Sequence, residues 1–175
     1  LLESMRAIFE HLGGVPTEIW FDNTSTIVTN IIRGGGRELT ERFIRFREHY
    51  GFRAVFCNPD AGNEKGGVEN KVGYTRRNLL VPVPRFLALA DFNKQLLADC
   101  DADADREHYR CQDETISGRF SSDREAMLKL PPVPFDTALY KRVRTDNWGK
   151  FKLHKGLHTY SASPGYADAE VWLKI

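Results

Sequence analysis

Two short runs of bulky residues, Thr17 to Phe21 and Arg53 to Cys57, each closed by a sharp break at Asp22-Asn23 or Asn58-Pro59, constrain this chain more than anything else in it. The second run is nearly continuous in apolar residues, the pattern of a strand buried on both faces. Ahead of the first, Leu1, Met5, Ile8, Phe9 and Leu12 recur close to the helical period, and Gly13-Gly14 stops that helix. Between the two runs, Thr24 to Gly36 reads as a loop or a partner-ordered segment because Gly34-Gly35-Gly36 resists any regular element. Leu39, Phe43, Phe46 and Tyr50 then mark one face of a helix whose other face is Glu41, Arg42, Arg45 and Glu48. After the second run, Asn58 to Gly62 is a turn, and a helix extends from Asn63 to about Leu80, where Pro82 and Pro84 end it. Helix, strand, helix, strand, helix, with connections short enough for right-handed crossovers, is an α/β unit with a parallel strand pair.

The character changes after Pro84. Phe86 to Ala98 is an amphipathic helix with Leu89, Phe92 and Leu96 along one stripe, followed by an acidic stretch and a second helix over Asp123 to Leu130. Pro131-Pro132-Val133-Pro134 is a linker by composition. From Leu139 onward, short runs around Val143, Phe151, Tyr160 and Val171, broken by Gly149, Gly156 and Pro164-Gly165, read as small β-structure. The domains expected are 1–84, 85–134 and 135–175.

A formal net charge of +1 hides a strong division. Residues 33–53 carry +3, residues 64–85 another +3, residues 91–125 carry −5 and residues 129–155 carry +5. Basic regions around an acidic insert permit a polyanionic partner despite the neutral sum. Three cysteines without a CxxC pair argue against a disulfide framework and a zinc knuckle, and fit a reducing, cytoplasmic setting. Apolar runs such as Leu79 to Val81 and Phe86 to Ala90 are far too short to span a bilayer. The start, Leu1-Leu2-Glu3-Ser4-Met5, has the marks of neither an initiator nor a signal peptide, so the expectation is a piece of a longer protein.

Asp22 directly follows a short strand, and open α/β sheets place ligands outside the carboxyl ends of their strands. Glu69 falls in the helix after the next strand, behind Gly66-Gly67, small residues that allow close approach. Two carboxylates so placed can converge on Mg²⁺, which takes oxygen ligands and usually only one or two protein carboxylates per ion. Each acid also has an ordinary use, Asp22 as a turn or cap residue and Glu69 as a solvated ion-pair partner, and spacing alone does not choose. The Asp99 to Asp105 acids do not make a calcium loop, since Ala104 stands where glycine is required and Arg110 where glutamate is. The histidines are scattered, and no nucleophile triad, P-loop or dinucleotide fingerprint occurs.

The local sequences add more. Thr17-Glu18-Ile19-Trp20-Phe21-Asp22-Asn23, Phe52 to Pro59, and Asn63-Glu64-Lys65-Gly66-Gly67-Val68-Glu69-Asn70-Lys71 continuing to Asn78 closely resemble IstA-type transposases of the insertion sequence 21 family, DDE enzymes related to retroviral integrases. Gly13-Gly14-Val15-Pro16, Leu130-Pro131, Pro134-Phe135 and Tyr160-Ser161 carry the likeness across most of the chain.

The resemblance implies a partial RNase H-like catalytic core, a helical connector and the start of a small β-barrel-like segment. It implies three acids holding two Mg²⁺ ions, with Mn²⁺ as an alternative. Asp22 matches the second acid and Glu69 the third, with 46 residues between them. The first acid belongs on a strand upstream of Asp22, where Glu3, Glu10 and Glu18 are all wrongly placed, so the fragment is expected to be inactive alone. The intact protein would hydrolyse transposon-end phosphodiesters and transfer the strand into target DNA, in a synaptic homo-oligomer with a helper ATPase, in the bacterial cytoplasm at the nucleoid. On the Glu69 helix, Lys65, Lys71, Arg76 and Arg77 would meet DNA phosphates, and Asn63 and Asn70 phosphate or sugar. The rival readings are another RNase H-like nuclease and a non-catalytic DNA-binding or assembly module from a decayed element.

Overall fold

The first helix, α1 (Leu2–Leu12), buries Leu2, Met5 and Phe9; of the expected stripe Met5 and Phe9 face the core and Leu12 is half-buried, whereas Leu1 and Ile8 are exposed and Leu2 takes the inner position instead. The helix stops at Gly13, whose left-handed backbone (φ 73°) lets its N–H reach the carbonyls of Phe9 and Glu10. At Gly14 a Cβ would stand 2.9 Å from the Cβ of Met127. Only glycine therefore allows the chain to come in beside Leu128, with which Val15 exchanges two backbone hydrogen bonds of 2.9 and 2.8 Å. The computed structural model describes residues 1–175 apart from 33–35, 59–61 and 154–155, and of residues 62–69 and 112 it describes the backbone alone. The chain divides into two units, Leu1–Phe135 and Asp136–Ile175.

In the first unit the next strand, β1 (Glu18–Phe21), leads into a hairpin of β2 (Val28–Ile31) and β3 (Arg37–Leu39). This corrects the expected loop over Thr24 to Gly36. The β-branched run Thr26-Ile27-Val28-Thr29 drives Ile27 and Val28 into the core, and that burial outweighs the glycines at the hairpin's far end. Leu39 consequently lies on β3 rather than in the helix. The helix α2 (Glu41–Tyr50) begins where Thr40 Oγ1 accepts the Phe43 N–H, and it buries Phe43, Phe46 and Tyr50.

Strand β4 (Arg53–Phe56) runs parallel to β1 in the register Glu18 to Arg53 through Phe21 to Phe56, as the strand and helix order requires. It is not buried on both faces. Arg53 is exposed and pairs with Glu18, while Ala54, Val55 and Phe56 are half-buried, because the described sheet has only two strands, with Ala54 and Phe56 turned to the core that α1 and α2 contribute to.

Six rings make the centre of the unit: Phe9 from α1, Phe21 from β1, Phe43, Phe46 and Tyr50 from α2, and Phe52 ahead of β4. Their contacts include Phe9–Tyr50 at 5.1 Å, Phe21–Phe43 at 5.1 Å and Phe46–Tyr50 at 4.7 Å between centroids, mostly tilted or edge-on. Each buried phenylalanine contributes about 1.5–3 kcal/mol from burial alone. With so few ladder hydrogen bonds, the rings rather than the sheet hold the unit. Phe135 closes one side, 5.3 Å from Phe46, with its N–H donated to Tyr50 Oη.

Helix α3 (Gly62–Leu79) follows β4, within a residue of the expected span. Then α4 (Leu89–Asp103) starts later than Phe86 and runs on into the acidic stretch as far as Asp103, a hairpin β5 (Glu107–His108) and β6 (Cys111–Thr115) follows, and α5 covers Ile116–Glu125. The last of these corrects the expected helix over Asp123 to Leu130. Thr115 caps α5 early by accepting the Gly118 N–H, and Leu128 is taken out of helical conformation by its pairing with Val15. Neither α4 nor α5 has a buried residue.

The second unit contains β7 (Tyr140–Arg144) paired antiparallel with β10 (Glu170–Lys174), and β8 (Lys150–Leu153) paired antiparallel with β9 (His158–Ser161). Among the described residues these are two open sheets, not a closed barrel. Buried Thr145 joins the turns by donating its one hydroxyl proton to the Tyr166 carbonyl, with the Ala169 carbonyl also in reach at 3.1 Å, and by accepting the Ala169 N–H. Asp146 accepts the N–H groups of Trp148 and Lys150, which holds its carboxyl below the usual range. Asp136 is held well below that range by the Tyr140 hydroxyl, the Lys174 ammonium and the Ala138 N–H.

Candidate active site

The parallel pair fixes where chemistry can occur in the first unit. Both strands end at the same level, Phe21 beside Phe56, so the residues that follow, Asp22-Asn23 and Cys57-Asn58, emerge side by side at the carboxyl edge. The last ladder bond, from Cys57 N to Phe21 O at 3.0 Å, ties the two exits together. Asp22 is exposed there. Its Oδ1 accepts the Asn23 N–H at 2.7 Å and its carbonyl accepts the Thr24 N–H at 2.8 Å, a turn that pins the carboxylate against the backbone leaving the strand.

Asn23 and Arg37 complete this edge. Asn23 Nδ2 donates to the Cys57 carbonyl at 3.1 Å, Arg37 Nη2 donates to the same carbonyl at 2.8 Å, and Arg37 Nε donates to Asn23 Oδ1 at 3.0 Å. The guanidinium also lies 5.9 Å from the centroid of the Phe56 ring. Arg37 reaches this position because the β2–β3 hairpin returns beside Asp22. The expected loop concealed that route, and the signal for it was the β-branched run at Thr26 to Thr29.

The remaining expected site residues lie on α3. Glu69, Asn63 and Lys65 fall within this helix, and their side chains, with the expected approach of Glu69 to Asp22, lie outside the described residues. Asn70, Lys71, Arg76 and Arg77 are exposed. Lys71 Nζ lies 3.5 Å from Asp103 Oδ2 and 4.9 Å from the centroid of the Tyr74 ring. Asp103, at the end of α4, also accepts the Tyr74 hydroxyl at 2.5 Å and pairs with Arg106 at 3.3 Å, while the Arg106 guanidinium stands 4.5 Å from the Tyr74 ring centroid. The Tyr74 hydrogen bond, helped by Arg106 and Lys71, holds the Asp103 carboxyl below its usual range; the same bond raises the Tyr74 phenol against the opposing pull of Arg106. Tyr74 and Lys71 on α3 thus meet Asp103 at the end of α4, a role that the acidic stretch did not suggest in the sequence. Among the described residues no three His, Cys, Asp or Glu side chains group as they would around a metal ion, and no helix is long and apolar enough to cross a membrane.

The frame is therefore a mixed α/β unit with an oriented acid at the carboxyl edge of a parallel pair and a helix bearing exposed cations following it. The chain is 32% identical over 167 residues, 95% of its length, to the transposase for insertion sequences IS1326/IS1353 of Pseudomonas aeruginosa. A transposase of Aminobacter aminovorans is 37% identical over 100 residues, and the transposase for an IS21-like element of Bacteroides fragilis is 35% identical over 75 residues. The chain spans 32%, 20% and 14% of the lengths of these three relatives. No family model matches the chain. Over nearly its full length the chain is thus a relative of insertion-sequence transposases, as the Lys65 to Asn70 segment and its neighbours suggest.

Proposed function

We propose that this chain is part of a DDE transposase, the later portion of an RNase H-like catalytic core with its connector and the start of a β-barrel domain. The observation that carries this reading is Asp22, an exposed carboxylate oriented at the carboxyl end of a parallel strand pair, in a chain related to transposases over 95% of its length. Asp22 and Glu69 are assigned as two of three acids holding two Mg²⁺ ions, or Mn²⁺. The donor at the described position fits: a carboxylate oxygen suits a hard cation, whereas the neighbouring Cys57 thiol is buried in the core. The ions would supply Lewis-acid activation of the attacking and leaving oxygens of a phosphodiester.

The protein's own part is placement. Asp22 is fixed by the Asn23 N–H, and α3 carries Glu69 on the element that follows β4. Asn63, Lys65, Asn70, Lys71, Arg76 and Arg77 are assigned to the DNA backbone, where each cation engaging a phosphate displaces counterions. The reaction is end cleavage followed by strand transfer in a synaptic homo-oligomer served by a helper ATPase, at the bacterial nucleoid. The test is a strand-transfer assay of the full-length protein on labelled transposon-end DNA. Asp22→Asn and Glu69→Gln are each expected to abolish cleaved and joined products while leaving end binding intact. Normal joining by either variant refutes the assignment, and cleavage by the wild-type protein without any joining refutes transposition.

A further inference from the structure

We propose that Arg37 is a positioning residue for Asp22, acting through Asn23; this rests on the metal-site reading above. The carboxylate of Asp22 accepts the Asn23 N–H at 2.7 Å, so a shift of Asn23 shifts the carboxylate with it. Asn23 is held at its other end, through the side chain, by two bonds: its Nδ2 to the Cys57 carbonyl at 3.1 Å and its Oδ1 from Arg37 Nε at 3.0 Å. Arg37 Nη2 closes the triangle on the Cys57 carbonyl at 2.8 Å. One planar guanidinium thus bridges the exit of β1 to the exit of β4, the two points from which Asp22 and the segment leading to α3 depart.

The chemistry suits arginine alone. A guanidinium presents several N–H donors in a fixed plane, and two of them here point to two acceptors at different strand exits. A lysine ammonium, a single centre on a flexible stem, would not keep both bonds in the same geometry. The Phe56 ring, 5.9 Å from the guanidinium carbon, adds a further contact at the same edge. Arg37 is half-buried, so it is held within the edge rather than projecting from it. The β2–β3 hairpin accordingly has a use: it delivers Arg37 to the strand exits from a position 14 residues beyond Asn23.

The experiment uses the full-length protein without DNA. Mn²⁺ is titrated and the free ion is followed by its paramagnetic resonance signal, with thermal melting measured alongside. Four variants are compared: Arg37→Met, Arg37→Lys, Asp22→Asn, and Asn30→Ala. The last removes the Asn30 to Glu38 side-chain bond of the same hairpin and leaves the bridge untouched. The expected result is Asp22-dependent binding that Arg37→Met and Arg37→Lys both weaken by about tenfold, the low end for groups that orient a metal ligand. Asn30→Ala should match wild type. Wild-type affinity in both Arg37 variants, with binding lost in Asp22→Asn, overturns the positioning role and leaves the metal site standing. Equal weakening by Asn30→Ala also overturns it, since the hairpin would then act only as scaffolding. Binding unaffected by Asp22→Asn, or no binding by wild type, refutes the metal site itself.

Discussion

Replacing Phe43 with alanine tests whether the aromatic cluster holds the first unit together. Phe43 is fully enclosed and stands edge-on to Phe21 at 5.1 Å, Phe52 at 6.3 Å and Phe56 at 6.3 Å. Buried Phe→Ala substitutions cost about 3–5 kcal/mol, and each aromatic pair adds about 0.5–1.5 kcal/mol beyond area. The three partners come from two strands and the segment before the second, so they cannot close on the cavity together. The cost should therefore fall at about 4–5 kcal/mol, the top of that range. A domain's whole stability is about 5–15 kcal/mol, so the variant would be close to unfolded. Two comparators fix the scale. Half-buried Phe135, with Phe46 5.3 Å away, should cost about 1–2 kcal/mol on truncation to alanine. Ile8, 54% exposed, should change stability by no more than about 0.5 kcal/mol. Urea unfolding followed by far-ultraviolet circular dichroism reads all three. A Phe43→Ala loss below about 1.5 kcal/mol, or one no larger than that of Phe135→Ala, would refute the ring cluster as the main support.

Other consequences are as direct. Asp136 and Asp103 have lowered folded-state pKa values, so their contribution is complete above the ordinary carboxylate value of about 4 and is lost as pH falls through the folded values. Melting temperature against pH should therefore fall less steeply on the acid side for Asp136→Asn than for wild type, and an unchanged acid limb would contradict the pairing with Tyr140 and Lys174. Gly149 has φ 69° and a Cβ there would meet the Ser163 carbonyl oxygen at 3.0 Å. Gly149→Ala should destabilise the second unit by at least about 1–2 kcal/mol, read by calorimetry. Thr40→Ala removes the cap of α2 and should cost about 1 kcal/mol in urea unfolding. If Arg77 meets a DNA phosphate, Arg77→Ala should reduce the log–log salt dependence of DNA affinity by about one, and an unchanged slope would place it outside the interface.

What was legible in the sequence follows the physics of each segment. Phe43, Phe46 and Tyr50 announce α2 because burial sets their spacing, and β1 and β4 pair in parallel because a helix must lie between them. The hairpin at Val28 to Leu39 was hidden because its strands are short and Gly34-Gly35-Gly36 falls between them in the sequence, so a local breaker signal masked burial of Ile27 and Val28. Leu128 misled in the opposite direction: it follows a helical pattern, yet a partner 113 positions away, Val15, takes its backbone. Asp22 could be picked out because it ends a strand. Arg37, Tyr74 and Asp103 could not, since each acquires its role from a residue on another element, Asn23 for the first and each other for the last two.

The proposed chemistry depends on Asp22 and Glu69 holding divalent metal together. A crystal structure of the full-length protein with Mn²⁺ and transposon-end DNA, examined by anomalous scattering at the manganese edge, tests it most directly. The expected result is a manganese peak bonded to oxygens of both carboxylates, within about 8 Å of each other, close enough to serve a pair of ions. Ordered Asp22 and Glu69 carboxylates farther apart than that, with manganese at neither, would contradict it.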